Sequence, residues 1–268
     1  MEMIESFVPD KSVMSLPFYV ELAGITYPNT NYDIRRENSH IYVLEYVIAG
    51  SGTVEIEGKT FHPSQGDVYL LPRGSSHHYF ASREDPFQKI WMNVNGDLCA
   101  QLIQLYRISG QYYFENVDVY DLFEKFLNIC KNRGADLKSL YDQCGLVFLE
   151  IVQRLSRHIE KKTAINELAG QAKDFCDRNI YQKIAIGDVA KHVGLSDSQL
   201  NRLFKQQFGS TVYAYILGSK IGTAKSLLRG TSMSVSEIAF LLKFSDEHYF
   251  TNIFKQKTQM TPTQFRNR

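Results

Sequence analysis

The sequence has only four cysteines, and none stands in a pattern that binds a metal or builds a disulfide framework. Cys99, Cys130, Cys144 and Cys176 lie far apart inside apolar stretches, with no CxxC pair and no histidine at metal-ligand spacing. Cysteines placed in this way are typical of buried, reduced thiols. The pattern excludes a small domain held together by disulfides.

Long hydrophobic runs are also missing. The longest, such as residues 42–49, fall far short of the roughly 18 residues that a membrane span needs, and residues 1–10 lack the basic and apolar regions of a signal peptide. We therefore expect a cytoplasmic protein with no membrane contact. At 268 residues, 44% of them hydrophobic and 22% charged, the chain is long enough for one large domain or two ordinary ones.

The net charge is close to zero, at +1, which by itself would argue against a polyanionic partner. The charge is unevenly distributed, however. Residues 170–268 contain 14 Lys and Arg against 7 Asp and Glu and carry +7, whereas residues 1–169 carry −6. A basic C-terminal third beside an acidic remainder predicts a nucleic-acid-binding module joined to a second module.

The N-terminal part of the chain has the pattern of an all-β domain. β-branched and aromatic residues fill residues 17–95, and turn signals interrupt them at short intervals, which is typical of an antiparallel sandwich or barrel. The strands that this pattern predicts lie at about 41–48, 53–57, 67–71 and 87–94.

Apolar residues recur at helical spacing after Gly96. A helix predicted over about 136–161 carries one continuous apolar stripe, which could pack on the β-domain or against its own copy in a homodimer. Lys161-Lys162-Thr163 is the predicted interdomain linker, and residues 165–268 have the pattern of short helices only.

The helical C-terminal part contains an internal repeat. Residues 188–197 match 237–246 at an offset of 49, and residues 200–206 match 250–256 at an offset of 50. Each copy has an apolar-periodic helix with a small Ala, a short turn and a second helix opened by Ser-Asp, which is the pattern of a helix-turn-helix. A connecting helix over 212–228, roughly 25 Å long, would hold the two second helices about one DNA turn, roughly 34 Å, apart.

The outward faces of the two second helices carry residue types that contact bases or phosphates. With the apolar positions turned inward, the first helix exposes Ser198, Asn201, Arg202 and Lys205. The second exposes Glu247, His248, Thr251, Asn252 and Lys255.

Residues 184–268 resemble the DNA-binding domain of the AraC/XylS family of transcription regulators. The motifs that carry the resemblance are DVAKHVGLS (188–196), LNRLFK (200–205), AKSLL (224–228), VSEIAFLLKFSDEHYFTNIFK (235–255) and MTPTQFR (260–266). The family implies two helix-turn-helix units that read adjacent major grooves of double-stranded DNA near a promoter. Its base-facing positions correspond here to Ser198, Gln199, Asn201, Arg202, Glu247, His248, Thr251 and Asn252.

The sequence departs from the family pattern at two turns, where Lys243 and Gln259 replace the usual glycines. A non-glycine residue costs about 1 kcal/mol at such a position if its φ is positive. The second helix-turn-helix also presents no arginine on its outward face. We therefore predict weaker or less specific DNA binding by the second helix-turn-helix than by the first.

Residues 66–77, GDVYLLPRGSSH, fit the second cupin motif, and residues 40–95 resemble the sensor domain of the same family. Metal-dependent cupin enzymes need an earlier HxH and a Glu to complete the metal site. The corresponding stretch runs from His40 to Glu45 and has one histidine and no HxH. We therefore expect no metal, no cofactor and no catalytic residue.

The mouth of a small β-barrel can hold a small molecule. Trp91, the only tryptophan, lies among polar residues, and its ring could stack on a sugar. In arabinose-type members of the family an Arg, a Tyr and a Trp contact the sugar, and by position they resemble Arg35 or Arg36, Tyr79 and Trp91. The alternative, that Trp91 belongs to the core and the paired histidines form a surface turn, stays open. The candidate effector-binding residues are Arg35, Arg36, His77, His78, Tyr79, Trp91 and Asn93.

These observations predict a multi-domain α+β protein. An N-terminal cupin-like antiparallel β-barrel that binds the effector (1–96) is followed by helices that connect or dimerise (97–163) and by an all-α DNA-binding domain with two helix-turn-helix motifs (164–268). The predicted function is transcription regulation in response to a small molecule, a sugar if the family pattern holds, with operator DNA, a second copy of the chain and, for an activator, RNA polymerase as partners. The alternatives are a metal-dependent cupin enzyme and an effector-free DNA-binding protein.

Overall fold

A computed structural model describes residues 2–7, 13–132 and 136–268. The chain divides into two compact units, Met1–Glu160 and Lys161–Arg268. The first unit contains two antiparallel sheets and packed helices, and the second is helical. The predicted fold class is therefore confirmed, whereas the three domain boundaries stay predictions.

Two antiparallel sheets form the β-part of the first unit. A six-stranded sheet has the order β1-β2-β9-β4-β7-β10, and a four-stranded sheet has the order β3-β8-β5-β6. Strands far apart in the sequence pair directly, as β2 does with β9 in the larger sheet. The strands are β1 (Glu2–Ser6), β2 (Tyr19–Thr26), β3 (Asp33–Arg36), β4 (Tyr42–Ala49), β5 (Gly52–Ile56), β6 (Lys59–Phe61), β7 (Val68–Leu71), β8 (His77–Ala81), β9 (Gln88–Asn95) and β10 (Tyr113–Phe114).

The larger sheet separates two cores, because successive side chains of a strand point to opposite faces. On β9, Ile90 and Met92 belong to a large core that also contains residues of the helices. The opposite face of the sheet turns toward an inner core between the two sheets, which includes Val43, Tyr69 and Tyr79. We call this space between the sheets the barrel interior.

Three helices come after β9, α1 (Asp97–Leu105), α2 (Tyr120–Lys131) and α3 (Leu137–Arg178), with β10 between α1 and α2, and a short 3₁₀ helix spans Val13–Ser15. The apolar stripe predicted on the third helix is buried inside the first unit, in the same core as α1, α2 and the outer face of the larger sheet. The buried members of the stripe are Leu140, Tyr141, Cys144, Val147, Phe148, Ile151 and Leu155. Of the two readings of the stripe, packing within the chain is confirmed.

The prediction that this helix ends near residue 161 is wrong. The structure continues α3 through Lys161-Lys162-Thr163 to Arg178, and Ala172 and Cys176 belong to a core of the second unit. A polar, charged stretch does not by itself end a helix, and residues 161–169 contain no glycine or proline that would. The linker was predicted at residues 161–163 only because they are polar, and the structure shows that they are part of the helix.

The second unit contains two helix-turn-helix pairs joined by a connecting helix about 28 Å long. The bounds of the paired helices repeat at the offsets of 49 and 50 that the sequence shows, so the two predicted helix-turn-helix motifs are confirmed. Each pair has its own apolar core. The helices are α4 (Ile186–His192), α5 (Asp197–Phe208), α6 (Val212–Gly230), α7 (Val235–Leu241), α8 (Glu247–Thr258) and α9 (Pro262–Arg266).

The two non-glycine turn residues have left-handed backbones. Lys243 has a φ of 55° and Gln259 a φ of 63°, close to the 69° and 68° of Gly194 and Gly209 at the same positions of the first repeat. A residue with a Cβ is disfavoured in this conformation. We expect Lys243→Gly and Gln259→Gly each to raise the free energy of unfolding by about 0.5 to 1 kcal/mol, measured by chemical denaturation. A matched Lys191→Gly change inside helix α4 should instead be destabilising.

Candidate nucleic-acid interface and effector site

Each second helix of a helix-turn-helix pair begins at a side chain that caps its free backbone N–H groups. The hydroxyl oxygen of Ser196 accepts a hydrogen bond from the backbone N–H of Gln199 at 3.3 Å. The carboxylate of Asp246 accepts one from the backbone N–H of Tyr249 at 2.7 Å. Because these caps fix where α5 and α8 begin, they also fix which side chains project from the first turns of both helices.

The predicted contact residues of α5 fall into two groups. Ser198, Arg202 and Lys205 are exposed and available to DNA. Gln199 is exposed, but its side-chain oxygen accepts a hydrogen bond from the backbone N–H of Ser196 at 2.9 Å and completes the cap. Arg202 and Lys205 therefore supply the positive charge of this face.

The side chain of Asn201 has a structural role. It is half-buried, its side-chain oxygen accepts a hydrogen bond from the backbone N–H of Val212 at 3.2 Å, and its amide donates to the carbonyl of Asp197 at 3.1 Å. Both functional groups of the amide are therefore used, the oxygen in joining α5 to the start of α6 and the nitrogen in a bond within α5. The structure does not place Asn201 with the freely exposed side chains that the sequence predicted for this face.

Helix α8 presents Glu247, His248, Asn252 and Lys255 on its exposed face, whereas Thr251 is half-buried. Thr251 stands at the position equivalent to Asn201 at the offset of 50. The residue equivalent to Val212 is Pro262, which has no backbone N–H to donate. The second repeat therefore has no need of an acceptor side chain at this position.

A tyrosine pair joins the two repeats, and the sequence did not predict it. The hydroxyl groups of Tyr213 and Tyr249 lie 2.7 Å apart. Tyr213 lies in the first turn of α6, beside the first repeat, and Tyr249 lies in the first turn of α8. The hydrogen bond thus connects α8 to the start of α6, the helix that follows α5.

In the first unit, alternation along β9 turns Lys89, Trp91 and Asn93 toward the barrel interior, since Ile90 and Met92 face the other core. Trp91 is 7% exposed, and its indole N–H donates to the hydroxyl of Thr26 at 3.0 Å. A Cβ on Gly24 would come within 2.9 Å of the indole, so the absence of a side chain there leaves room for the ring.

The register of β3 and β8 decides which of two adjacent arginines faces inward. Arg36 donates from Nη1 to the hydroxyl of Tyr79 at 2.7 Å, and Tyr79 is buried in the inner core. His77 lies directly opposite Arg36 in the register and is 4% exposed. Arg36, His77 and Tyr79 therefore converge at one end of the barrel interior.

A buried charge pair lies at the centre of the barrel interior. The ammonium of Lys89, which is fully buried, forms an ion pair with Glu45 and donates to the hydroxyl of Tyr69 at 2.9 Å; Tyr69 in turn donates to Glu45. Burial lowers the pKa of Lys89 to about 8, and the attraction of Glu45 opposes this shift. Burial, with Glu45 beside it, raises the pKa of Tyr69.

Aromatic rings surround the same ammonium. Its nitrogen lies 4.3 Å from the ring centre of Tyr32, 4.4 Å from that of Tyr79 and 4.6 Å from that of Phe87. Faces of aromatic rings attract a cation, most strongly where water is excluded. Lys89 and Glu45 were missed by the sequence analysis, although Lys89 stands two residues before Trp91 and must share its face.

Comparisons with known proteins bear on both units. A family described as "AraC-like ligand binding domain" matches residues 19–139, and one described as "Helix-turn-helix domain" matches residues 189–268. The arabinose operon regulatory protein of Escherichia coli K12 is 30% identical over 84% of this chain and 80% of its own length. The chain belongs to the AraC/XylS family of transcription regulators.

Other relatives are similar along most of their length. The lactose operon transcription activator of Staphylococcus xylosus is 26% identical over 91% of this chain and 88% of its own length. The Msm operon regulatory protein of Streptococcus mutans is 24% identical over 84% of both. This AraC/XylS protein is accordingly a DNA-binding transcription regulator with a ligand-binding domain, and it is not an enzyme. No helix in the part of the chain that the structure describes is long and apolar enough to cross a membrane.

Two of the predicted effector residues of this AraC/XylS protein lie outside the barrel. Arg35 is exposed on the outer face of β3, and its guanidinium lies 3.5 Å from the ring of His78. His78 is bonded to Asp33 at 3.0 Å and to Glu55 at 3.1 Å on the same outer face. Because alternate residues of a strand face opposite sides, Arg35 and His78 cannot line the interior that Arg36 and His77 face, and the prediction that they do is corrected.

The buried His77 of this AraC/XylS protein makes its stability depend on pH. Burial and the positive charge of Arg36 lower the pKa of His77 to about 4 from its ordinary 6.5. As the pH falls below 6.5, His77 becomes protonated in the unfolded chain before it does in the folded one. The folded state is therefore fully stable, as far as His77 is concerned, above pH 6.5 and loses this stability as the pH falls toward 4. Between pH 7 and 4.5 we expect the wild type to lose about 1 to 2 kcal/mol more than His77→Gln, in urea titrations followed by Trp91 emission. Equal losses of stability in the wild type and in His77→Gln would contradict this role of His77.

Proposed function

We propose that the protein regulates transcription of a carbohydrate operon in response to a sugar bound in the barrel interior. The observation that carries the proposal is the convergence of Arg36, His77, Tyr79, Trp91 and Asn93 on the inner faces of the two sheets. An aromatic ring together with polar side chains is the combination that binds a sugar. The names of the relatives, which include lactose and arabinose operon regulators, support the same class of effector.

In this proposal residues 1–96 bind the effector, residues 97–163 connect and dimerise, and residues 164–268 bind operator DNA. Because the α3 stripe is buried within the chain, dimerisation would use exposed residues such as Leu105 and Leu146, which are 75% and 68% exposed. The effector changes transcription only if it binds one arrangement of the protein more tightly than another. RNA polymerase is a further partner if the protein activates.

Trp91 provides the test, since no other tryptophan contributes to the emission. We expect one member of a panel of sugars, including arabinose, lactose and raffinose, to change the emission of Trp91 saturably and to raise the melting temperature. The same sugar should change the affinity for DNA fragments that the protein selects from a random pool. DNA binding unaffected by every small molecule tested would instead favour an effector-free DNA-binding protein.

A further inference from the structure

The connecting helix α6 runs without a break from the core of the first repeat to the core of the second. Val212 and Ile216 belong to the first core. Ile221 and Leu228 belong to the second. Residues 217–220 therefore form the boundary between the two helix-turn-helix pairs. The backbone at this boundary determines how far apart, and at what angle, α5 and α8 meet the DNA.

Two glycines weaken α6 at this boundary. Gly218 and Gly222 are exposed, lie about one turn apart on the same face of the helix, and have open space where a side chain would project. Packing therefore gives no reason for a glycine at either position. Glycine inside a helix costs stability relative to alanine, because it loses more conformational freedom on folding. Gly-Ser pairs, such as Gly218-Ser219, are among the places where helices bend sharply.

The tyrosine pair crosses the same boundary. Tyr213 follows Val212 of the first core, Tyr249 precedes Phe250 of the second core, and the two hydroxyl oxygens lie 2.7 Å apart. Tyr213 stands five residues before Gly218, which is about 7.5 Å along the helix axis. A bend at Gly218 moves the two tyrosines relative to each other. The hydrogen bond between them therefore resists the bend.

The sequence repeat shows that this bond is an addition to the helix-turn-helix pattern. The residue equivalent to Tyr249 in the first repeat is Gln199, whose side chain completes the cap of α5 by accepting from the backbone N–H of Ser196. Tyr249 also stands at the third position of its helix, but its hydroxyl bonds to Tyr213. The residue equivalent to Tyr213 in the second repeat is Thr263. The second repeat thus has a link to the first at the position where the first repeat has a capping bond.

Lys220 makes a second contact across the boundary, close to the glycines. Its ammonium, on a side chain that is 7% exposed, donates to the carbonyl of Gln182 at 3.4 Å and lies 5.7 Å from the ring centre of Phe244. Gln182 precedes α4, and Phe244 packs against the second core. Because Lys220 lies between Gly218 and Gly222, a bend there moves its contacts little. The tyrosines lie farther from the bend and resist it with a longer lever.

We propose that Tyr213 and Tyr249 determine which spacing of two DNA half-sites the protein prefers, because their hydrogen bond keeps α6 from bending at its two glycines. One inserted base pair moves the second half-site by about 3.4 Å along the DNA and roughly 35° around it. Following it requires α8 to move relative to α5, which breaks the bond. The tyrosines are positioning residues, because they orient both helices without reading a base. The inference goes beyond the proposed function and does not depend on the effector.

The first test varies the spacing of the DNA with the full-length protein. The probes are a duplex that the protein selects from a random pool, its two contacted segments mapped by hydroxyl-radical footprinting, and the same duplex with one base pair inserted or deleted between them. We expect the wild type to bind the altered duplexes more weakly. In Tyr213→Phe and Tyr249→Phe the ratio of affinities, original over altered, should fall about three- to tenfold, as expected for one hydrogen bond. The double variant should match the single ones, because all three lack the same bond.

Tyr215→Phe is the matched control. The hydroxyl of Tyr215 also projects from α6, but it donates to Asp177 of α3 at 2.8 Å and so stays on the side of the first repeat. We expect the spacing ratio of this variant to equal that of the wild type. Melting curves check that each variant folds.

The second test stiffens the helix in a protein that lacks the tyrosine bond. Gly218→Ala together with Gly222→Ala places a good helix former where the structure has open space. Added to Tyr249→Phe, these two changes should restore the spacing ratio of the wild type and raise the melting temperature. A tyrosine pair that only stabilised the fold would give the higher melting temperature without the restored ratio, and that result would overturn the inference.

Three further results would overturn the inference. Equal weakening of all duplexes in the tyrosine variants would show that the hydroxyl groups contact DNA themselves. Equal binding of all spacings by the wild type would show that nothing holds α6 against bending. Loss of binding to the original duplex in Gly218→Ala with Gly222→Ala would show that the glycines make room for DNA. None of these results involves the effector, so the proposed function stands or fails separately.

Discussion

Lys89→Met should lower the free energy of unfolding of the β-rich unit by about 3 to 5 kcal/mol. Methionine fills much of the volume of the lysine stem but removes the ammonium, so the carboxylate of Glu45 stays buried, 2% exposed, without its countercharge. Removing one partner of a buried ion pair is far more destabilising than removing both. The measurement is urea unfolding followed by the emission of Trp91, which lies on the same strand.

The matched control is the double variant Glu45→Leu with Lys89→Met. Because it leaves no unpaired charge, we expect it to recover most of the lost stability, and a double-mutant cycle gives the coupling between the two residues. Wild-type stability in the single variant would show that the pair is not buried as described. A double variant as unstable as the single one would assign the loss to packing against Tyr32, Tyr79 and Phe87 instead.

Arg202→Ala should weaken binding to DNA fragments selected by the protein by about ten- to a hundredfold, equivalent to roughly 1 to 3 kcal/mol. Arg202 is the one arginine on the exposed faces of α5 and α8 as described, and Lys205 is the nearest other cation on its helix. Asn252→Ala, on the corresponding face of α8, should cost distinctly less, because asparagine is uncharged and that face also carries Glu247, whose negative charge repels phosphates. The measurement is a binding titration of both variants at several salt concentrations.

Salt separates charge from base reading in this comparison. Arg202→Lys keeps the charge, so it should preserve the slope of log affinity against log salt while losing preference for the selected sequence if Arg202 reads a base. Equal losses of affinity in Arg202→Ala and Asn252→Ala would contradict the predicted asymmetry between the two repeats. Binding that does not depend on salt at all would contradict DNA recognition by these helices.

The C-terminal fold was predictable because its signals are local. Caps such as Ser196 and the periodic apolar residues act within a turn or two of helix, and the repeat shows the same local signals twice, so together they placed α5 and α8 correctly. The role of Asn201 was not predictable in the same way. Its partner Val212 lies eleven residues away, beyond the end of α5, so only the packed structure shows that its amide is already used.

The β-rich unit was predictable in class but not in register. Four of the strands, β4, β5, β7 and β9, were predicted close to their observed bounds, and the other six were not. Among those six, Gly24 weakens the strand pattern of β2 and the paired histidines weaken that of β8. Which of Arg35 and Arg36 faces inward depends on pairing with a strand some forty residues away. The charge pair of Lys89 and Glu45 joins β9 and β4 and follows from the same long-range register.

The proline at position 262 gives the two repeats different freedom to change. At position 201 a replacement that lacks the acceptor oxygen of asparagine removes a bond that the backbone of Val212 requires, so most new binding preferences there carry a penalty in stability. At position 251 no acceptor is required, because Pro262, the residue equivalent to Val212, has no backbone N–H. A library randomised at 251 should therefore stay folded far more often than one randomised at 201, which makes the second repeat the easier place to engineer a new operator preference.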